Sequence, residues 1–296
     1  MAAAEGLRSE PLRAALREAL AGRPAALEQL LVRHGGGPDP RPNLKLAAAF
    51  GDVMAAFDGQ AARLLGRLGA DDSAPDAREV FLPMAAAFGW VGRLRARQEA
   101  EAAWRALLDL AGDERAPVRV ATQAALRAYA LGAGHAGELV ARASDWLAAE
   151  DREVRFGAAA VVLEVLGEHQ ALSGAPVLSD VLAYLGRVIA DVADAPRSAE
   201  RSDGRRRALG ALPCALATAV AVAAEEGVAW LESECAAARQ PDLRGALSEA
   251  VIRVQAHSPV LGHRVRDALA GSAKPPRDPT RIRPGAGRGK SSRRTR

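Results

Sequence analysis

The chain has 296 residues, 49% of them hydrophobic and 4% aromatic, with two cysteines and a net charge of +4. That length is large for one compact core. Two cysteines (Cys214, Cys235) are too few for a disulfide framework and too far apart for a metal site, and the five histidines form no ligand-like pair, so no cofactor, metal or catalytic residue set is expected.

The charge is unevenly placed. From residue 271 onward, Lys274, Arg277, Arg281, Arg283, Arg288, Lys290, Arg293, Arg294 and Arg296 stand against Asp278 alone, a net charge of +8. The first 270 residues therefore carry −4, and the basic balance belongs to the C-terminal stretch. Alanine, the strongest helix former, is abundant, and valines are mostly isolated rather than alternating. The expectation is an all-α chain.

In chain order, Pro11 and a Ser9 cap predict a first helix over 9–21. Six helix pairs follow: 23–34 with 43–56, 58–69 with 76–95, 97–111 with 115–131, 136–149 with 151–167, 176–193 with 204–224, and 225–238 with 241–257. A last helix over 259–270 closes the series. Breakers mark the connectors, as in Gly35-Gly36-Gly37-Pro38 and Ser173-Gly174-Ala175-Pro176. Asp194 to Asp203 reads as an exposed insertion. Pro275, Pro276, Pro279 and Pro284 end helical order, so residues 1–270 are expected to fold and 271–296 to form a disordered basic tail.

A pattern recurs along this series. Asp113, Val118 and Arg119 precede Ala121, Ala124 and Ala125; Asp151, Val154 and Arg155 precede Ala158 and Ala159; Asp242, Leu243 and Arg244 precede Ala246 and Ala250. Arg119 and Arg155 are 36 residues apart, and a fainter copy sits at Asn43-Leu44-Lys45. The acid suits a helix N-terminus, the apolar residue turns inward, and the small residues form a buried stripe. The arginine is expected to join a structural ladder with Asp113, Asp151, Asp242 or equivalents. The unit resembles a HEAT repeat, whose second helix carries an Asp and then Val-Arg before small apolar residues. That resemblance implies a right-handed α-solenoid of about six antiparallel helix pairs with capping helices.

Two enzyme-like motifs fail on context. Gly132-Ala133-Gly134-His135-Ala136-Gly137 spells G-x-G-x-x-G, but a dinucleotide site needs a preceding strand, and a helix ends there. Gly287-Arg288-Gly289-Lys290-Ser291 resembles the end of a P-loop, with Pro284 where its first glycine should be. Carboxylate pairs such as Glu150-Asp151 lie at helix termini, where they complement the helix dipole. Trp104 and Trp146 both fall on first helices and could share a face. The stretch Ala208 to Ala224 is apolar and flanked like a membrane span, yet it is short, alanine-rich and contains Pro213, and the repeat accounts for it as core. No transmembrane segment is expected, and with Glu5, Arg8 and Glu10 ahead of any apolar run no signal peptide either, so the expected location is cytoplasmic.

HEAT-like proteins mostly bind other proteins, so the resemblance implies a non-catalytic scaffold or adaptor that holds a protein partner on its solenoid surface. The alternative is sequence-nonspecific nucleic-acid association through the tail, where basic residues can displace phosphate counterions but no aromatic is available to stack on bases. A further alternative is catalysis, since alkylpurine DNA glycosylases and bilin lyases are HEAT-like. An acidic, aromatic-poor body supplies no residue set for either.

Overall fold

The computed structural model describes residues 10–36, 42–57, 59, 61–132, 135–172 and 178–271. Among them there are helices and turns but no strand. The helices are α1 (Glu10–Leu20), α2 (Ala25–His34), α3 (Leu44–Ala55), α4 (Ala62–Gly69), α5 (Phe81–Arg95), α6 (Ala100–Ala111) and α7 (Ala116–Ala130). They continue with α8 (His135–Trp146), α9 (Arg152–Leu166), the one-turn α10 (His169–Leu172), α11 (Leu178–Asp194), α12 (Asp203–Ala237), α13 (Pro241–His257) and α14 (Pro259–Gly271). The all-α expectation holds. The tail residues from Lys274 to Arg296, Ser9 and the Ser173-Gly174-Ala175-Pro176 connector lie outside the described residues.

Local chemistry sets several helix starts. The Asn43 side chain accepts the Leu46 N–H at 3.1 Å, Asp151 accepts from Glu153 and Val154, and the Ser202 hydroxyl accepts from Arg205 at 3.1 Å. Pro117 and Pro241 sit in first turns, where a missing N–H costs nothing. Some details differ from the sequence reading, among them the one-turn α10. Helix α5 starts at Phe81 after a 3-10 turn, Arg78–Val80. The insertion contains a second 3-10 turn, Arg197–Arg201. The helices expected at 204–224 and 225–238 both form, adjoining within α12 at a kink at Ala224, whose backbone sits at φ 47° and ψ −118°.

Contacts follow a regular order. Helix α3 packs on α5, α5 on α7, α7 on α9, and α9 on α12, which in turn meets α13. Alongside, α4 packs on α6 and α8 on α11. Small residues bring these helices close. A Cβ at Gly51 of α3 would lie 2.6 Å from the Phe88 carbonyl oxygen of α5, and one at Gly204 of α12 would lie 3.0 Å from the Gly157 nitrogen of α9. Only glycine allows backbones to meet at that distance. As a result every residue from Val80 to Leu94 is buried. Helix α5 touches α2, α3, α4, α6 and α7.

Candidate functional site

The repeat arginines share one contact. Arg119 donates to the Asp113 carbonyl at 2.8 Å, Arg155 to the Ala149 carbonyl at 3.0 Å, and Arg244 to the Ala238 carbonyl at 3.5 Å. Each reaches six residues back, to the connector left by the preceding helix. Carbonyls at helix C-termini have no partner within the helix, and a guanidinium supplies one.

The expected acid partners do other work. Asp113 accepts from Arg115, through side chain and backbone. Asp151 caps α9. Asp242 is held by Arg205, whose hydrogen bond keeps the carboxyl below the usual aspartate range. Arg155 instead forms a bidentate pair with Asp191 of α11, at 2.8 and 2.9 Å. The carbonyl contacts therefore stay within each helix pair, while the Arg155–Asp191 pair links neighbouring ones.

Two buried arginines carry the same principle further. Arg93 is 1% exposed and gathers the Met54, Phe57 and Gly59 carbonyls beyond α3. Its Nε lies 2.9 Å from Glu99, whose carboxylate accepts the Ala61 and Ala62 N–H groups opening α4. Arg97 and Glu99 adopt left-handed backbone, with φ 56° and 51°, to turn that carboxylate inward. Arg205 is 2% exposed and bonds the Gln240 side chain, Asp242 and the Val192 carbonyl, tying the end of α11 to the start of α13. Sequence reasoning missed both. Arg93 looks like Arg95 and Arg97, and Arg205 like its neighbours Arg206 and Arg207. The only signal is that Arg93 follows an unbroken apolar run.

Charged side chains of α7, α9 and α12 come together around Glu164. From Phe156 to Leu166, Glu164 alone is exposed. Arg119 of α7 and Arg207 of α12 flank it, close enough that both pull its pKa down against burial, which raises it overall. Burial and the nearby Arg207 lower the Arg119 pKa. Arg207 lies 3.0 Å from Asp203, yet its buried Nε–H has no aligned acceptor. Of the buried polar side-chain atoms in this cluster, only the Arg207 Nε–H lacks a hydrogen-bond acceptor among the described residues.

Trp104 and Trp146 do share a face. Their centroids are 6.0 Å apart at 66°, and Trp104 meets Tyr129 edge-on at 5.5 Å. His135 stacks on Tyr129 at 4.3 Å. Trp104, Tyr129 and Trp146 are buried and belong to the core. Burial and the Glu138 hydrogen bond raise the Tyr129 pKa. Burial pushes the Cys235 thiol up to about 12, which keeps it protonated. Among the described residues no group of His, Cys, Asp or Glu is arranged to hold a metal. Of the G-x-G-x-x-G motif, Gly132 follows α7 and His135, Ala136 and Gly137 lie in α8, while Ala133 and Gly134 lie outside the described residues. Helix α12 is long and apolar enough to cross a membrane by length and composition, but half of its apolar window is buried on neighbouring helices.

Comparison with protein-family models, curated proteins and solved structures finds no match.

Proposed function

We propose that this chain is a HEAT-like helical scaffold: a right-handed solenoid of antiparallel helix pairs that acts without catalysis, in the cytoplasm, by holding a protein partner on its surface. The observation that carries the reading is the contact made three times by Arg119, Arg155 and Arg244 to a carbonyl six residues back. A unit that repeats both its sequence and its side-chain geometry is a structural repeat, and stacked repeats present extended surfaces suited to partners. The order of contacts from α3 through α5, α7 and α9 to α12 supports the same reading. The charged cluster at Glu164, the one exposed position between Phe156 and Leu166, is where a partner of complementary charge would meet this face.

The test is affinity capture from the native host, using the full chain, a chain ending at Ala270, and the full chain carrying Glu164→Lys. A stoichiometric partner kept by the shortened chain and lost by Glu164→Lys is expected. A partner lost only with the tail would refute a solenoid-borne interaction and favour the tail.

A further inference from the structure

Helices α3, α5, α7 and α9 pack directly on one another, but α1 and α3 are separated by an open trough. It consists of two adjoining hollows of about 430 and 460 Å³ that share Arg13 and Val53. The α3 wall is the stripe Lys45, Ala48, Ala49, Asp52, Val53 and Ala56. Those positions recur at three- and four-residue steps, so they form one helix face of about 17 Å, or three turns. On the α1 side Leu20 is half-buried over the buried Leu16, with the half-buried Phe57 at the end. Alanines along one wall let another helix axis approach closely, and the leucines, Val53 and Phe57 give it an apolar bed.

The rim has a sign. Arg17 is paired with Glu10 at 2.8 Å, and Asp52 with Arg95 at 3.2 Å. Arg13 and Lys45 are exposed, and neither side chain has a hydrogen-bond or ion-pair partner among the described residues. The unpaired charge on the trough is therefore +2, on a body whose net charge is negative.

We propose that this trough is a docking groove for an amphipathic helix of a partner protein, with small apolar residues on its inner face and acidic residues on its flanks. The inference rests on the protein-binding reading above and assigns it a second surface. Length and shape fit the helix-in-groove mode, in which anchors at i, i+3/i+4 and i+7 enter an apolar channel. The free cations choose the partner's charge and speed its approach.

The test uses the full chain and two labelled synthetic 18-residue helical peptides, alike in their Leu/Ala face, one flanked by glutamate and the other by lysine. Binding is read by fluorescence polarisation at physiological salt. The glutamate peptide should bind at least tenfold tighter than the lysine peptide. Ala49→Trp, at a half-exposed position, should fill the trough and weaken binding at least tenfold while the thermal melt stays unchanged. Arg13→Glu with Lys45→Glu, both on exposed side chains, should transfer the preference to the lysine peptide.

No binding by the unsubstituted chain, equal binding of both peptides, or binding indifferent to both variants would overturn the proposal. The last result would place the glutamate peptide on the basic C-terminal residues. A single-stranded oligonucleotide lost on Ala49→Trp would overturn it in favour of nucleic acid, and a doubled mass abolished by Ala49→Trp would overturn it in favour of self-association. Failure here, with partner capture through Glu164 intact, would remove the groove and leave the scaffold reading standing.

Discussion

Ala224 is the sharpest place to test the structure, because two views of it predict opposite signs. It is an alanine at φ 47° and ψ −118°, inside a segment that is otherwise helical from Asp203 to Ala237. Backbone of this kind suits glycine and costs other residues about 1–3 kcal/mol. Ala224→Gly removes that strain. It also makes the unfolded chain more flexible, which offsets about 0.4–1 kcal/mol. The net expectation is a gain of about 1 kcal/mol, or roughly 2–4 °C in Tm. Urea unfolding followed by far-UV circular dichroism should show the midpoint rise with the slope unchanged, which identifies a pure stability change. In an unbroken helix the same substitution would cost about 1 kcal/mol through glycine's poor helix propensity. A lower midpoint would therefore refute the break at Ala224 and make α12 a continuous helix.

Three further outcomes follow from the packing and the charges. Gly51→Ala places a Cβ 2.6 Å from the Phe88 carbonyl and should lose about 2–3 kcal/mol by chemical denaturation, whereas Gly66→Ala in α4, with nothing within 4 Å, should gain about 0.5–1 kcal/mol. Arg93→Met strips donors from three carbonyls and leaves Glu99 without its cation; a loss of about 3–5 kcal/mol is expected, and a double-mutant cycle with Glu99→Gln should show strong coupling rather than additivity. Burial raises the Glu234 pKa, so the folded state binds its proton more tightly than the unfolded state does. Stability then falls as pH rises from the ordinary glutamate value through the raised one. Glu234→Gln should abolish that part of the fall and raise Tm at pH 7, and an unchanged pH profile would count against the assignment.

Helix positions were legible because alanine content, glycine and proline breakers and N-terminal caps act over a few residues. Even the break in α12 could be placed, since the charge switch at Glu225-Glu226 marks it, although no glycine or proline does. The repeat was legible as a spacing, and the arginines do share a role, but the identity of the acceptor was not. A carbonyl six residues back has no sequence signature, and Asp191 pairs with Arg155 across 36 residues. The buried arginines were hidden for the same reason: their surroundings come from other helices. The cluster at Glu164 depends on how closely α9 and α12 approach, and that is set by the facing Gly157 and Gly204, whose meeting no local window contains.

The complete enclosure of α5 has a consequence for how this protein comes apart. Chains built of stacked units can fray one unit at a time from either end, because each touches only its neighbours. Helix α5 touches five other helices, from α2 to α7, and its backbone meets that of α3 directly at Gly51 and Phe88. Losing any one of those helices uncovers it. Amide protons between Met84 and Val91 should therefore exchange with solvent only when the whole N-terminal half opens together, while those of α13 and α14 exchange through smaller, local openings.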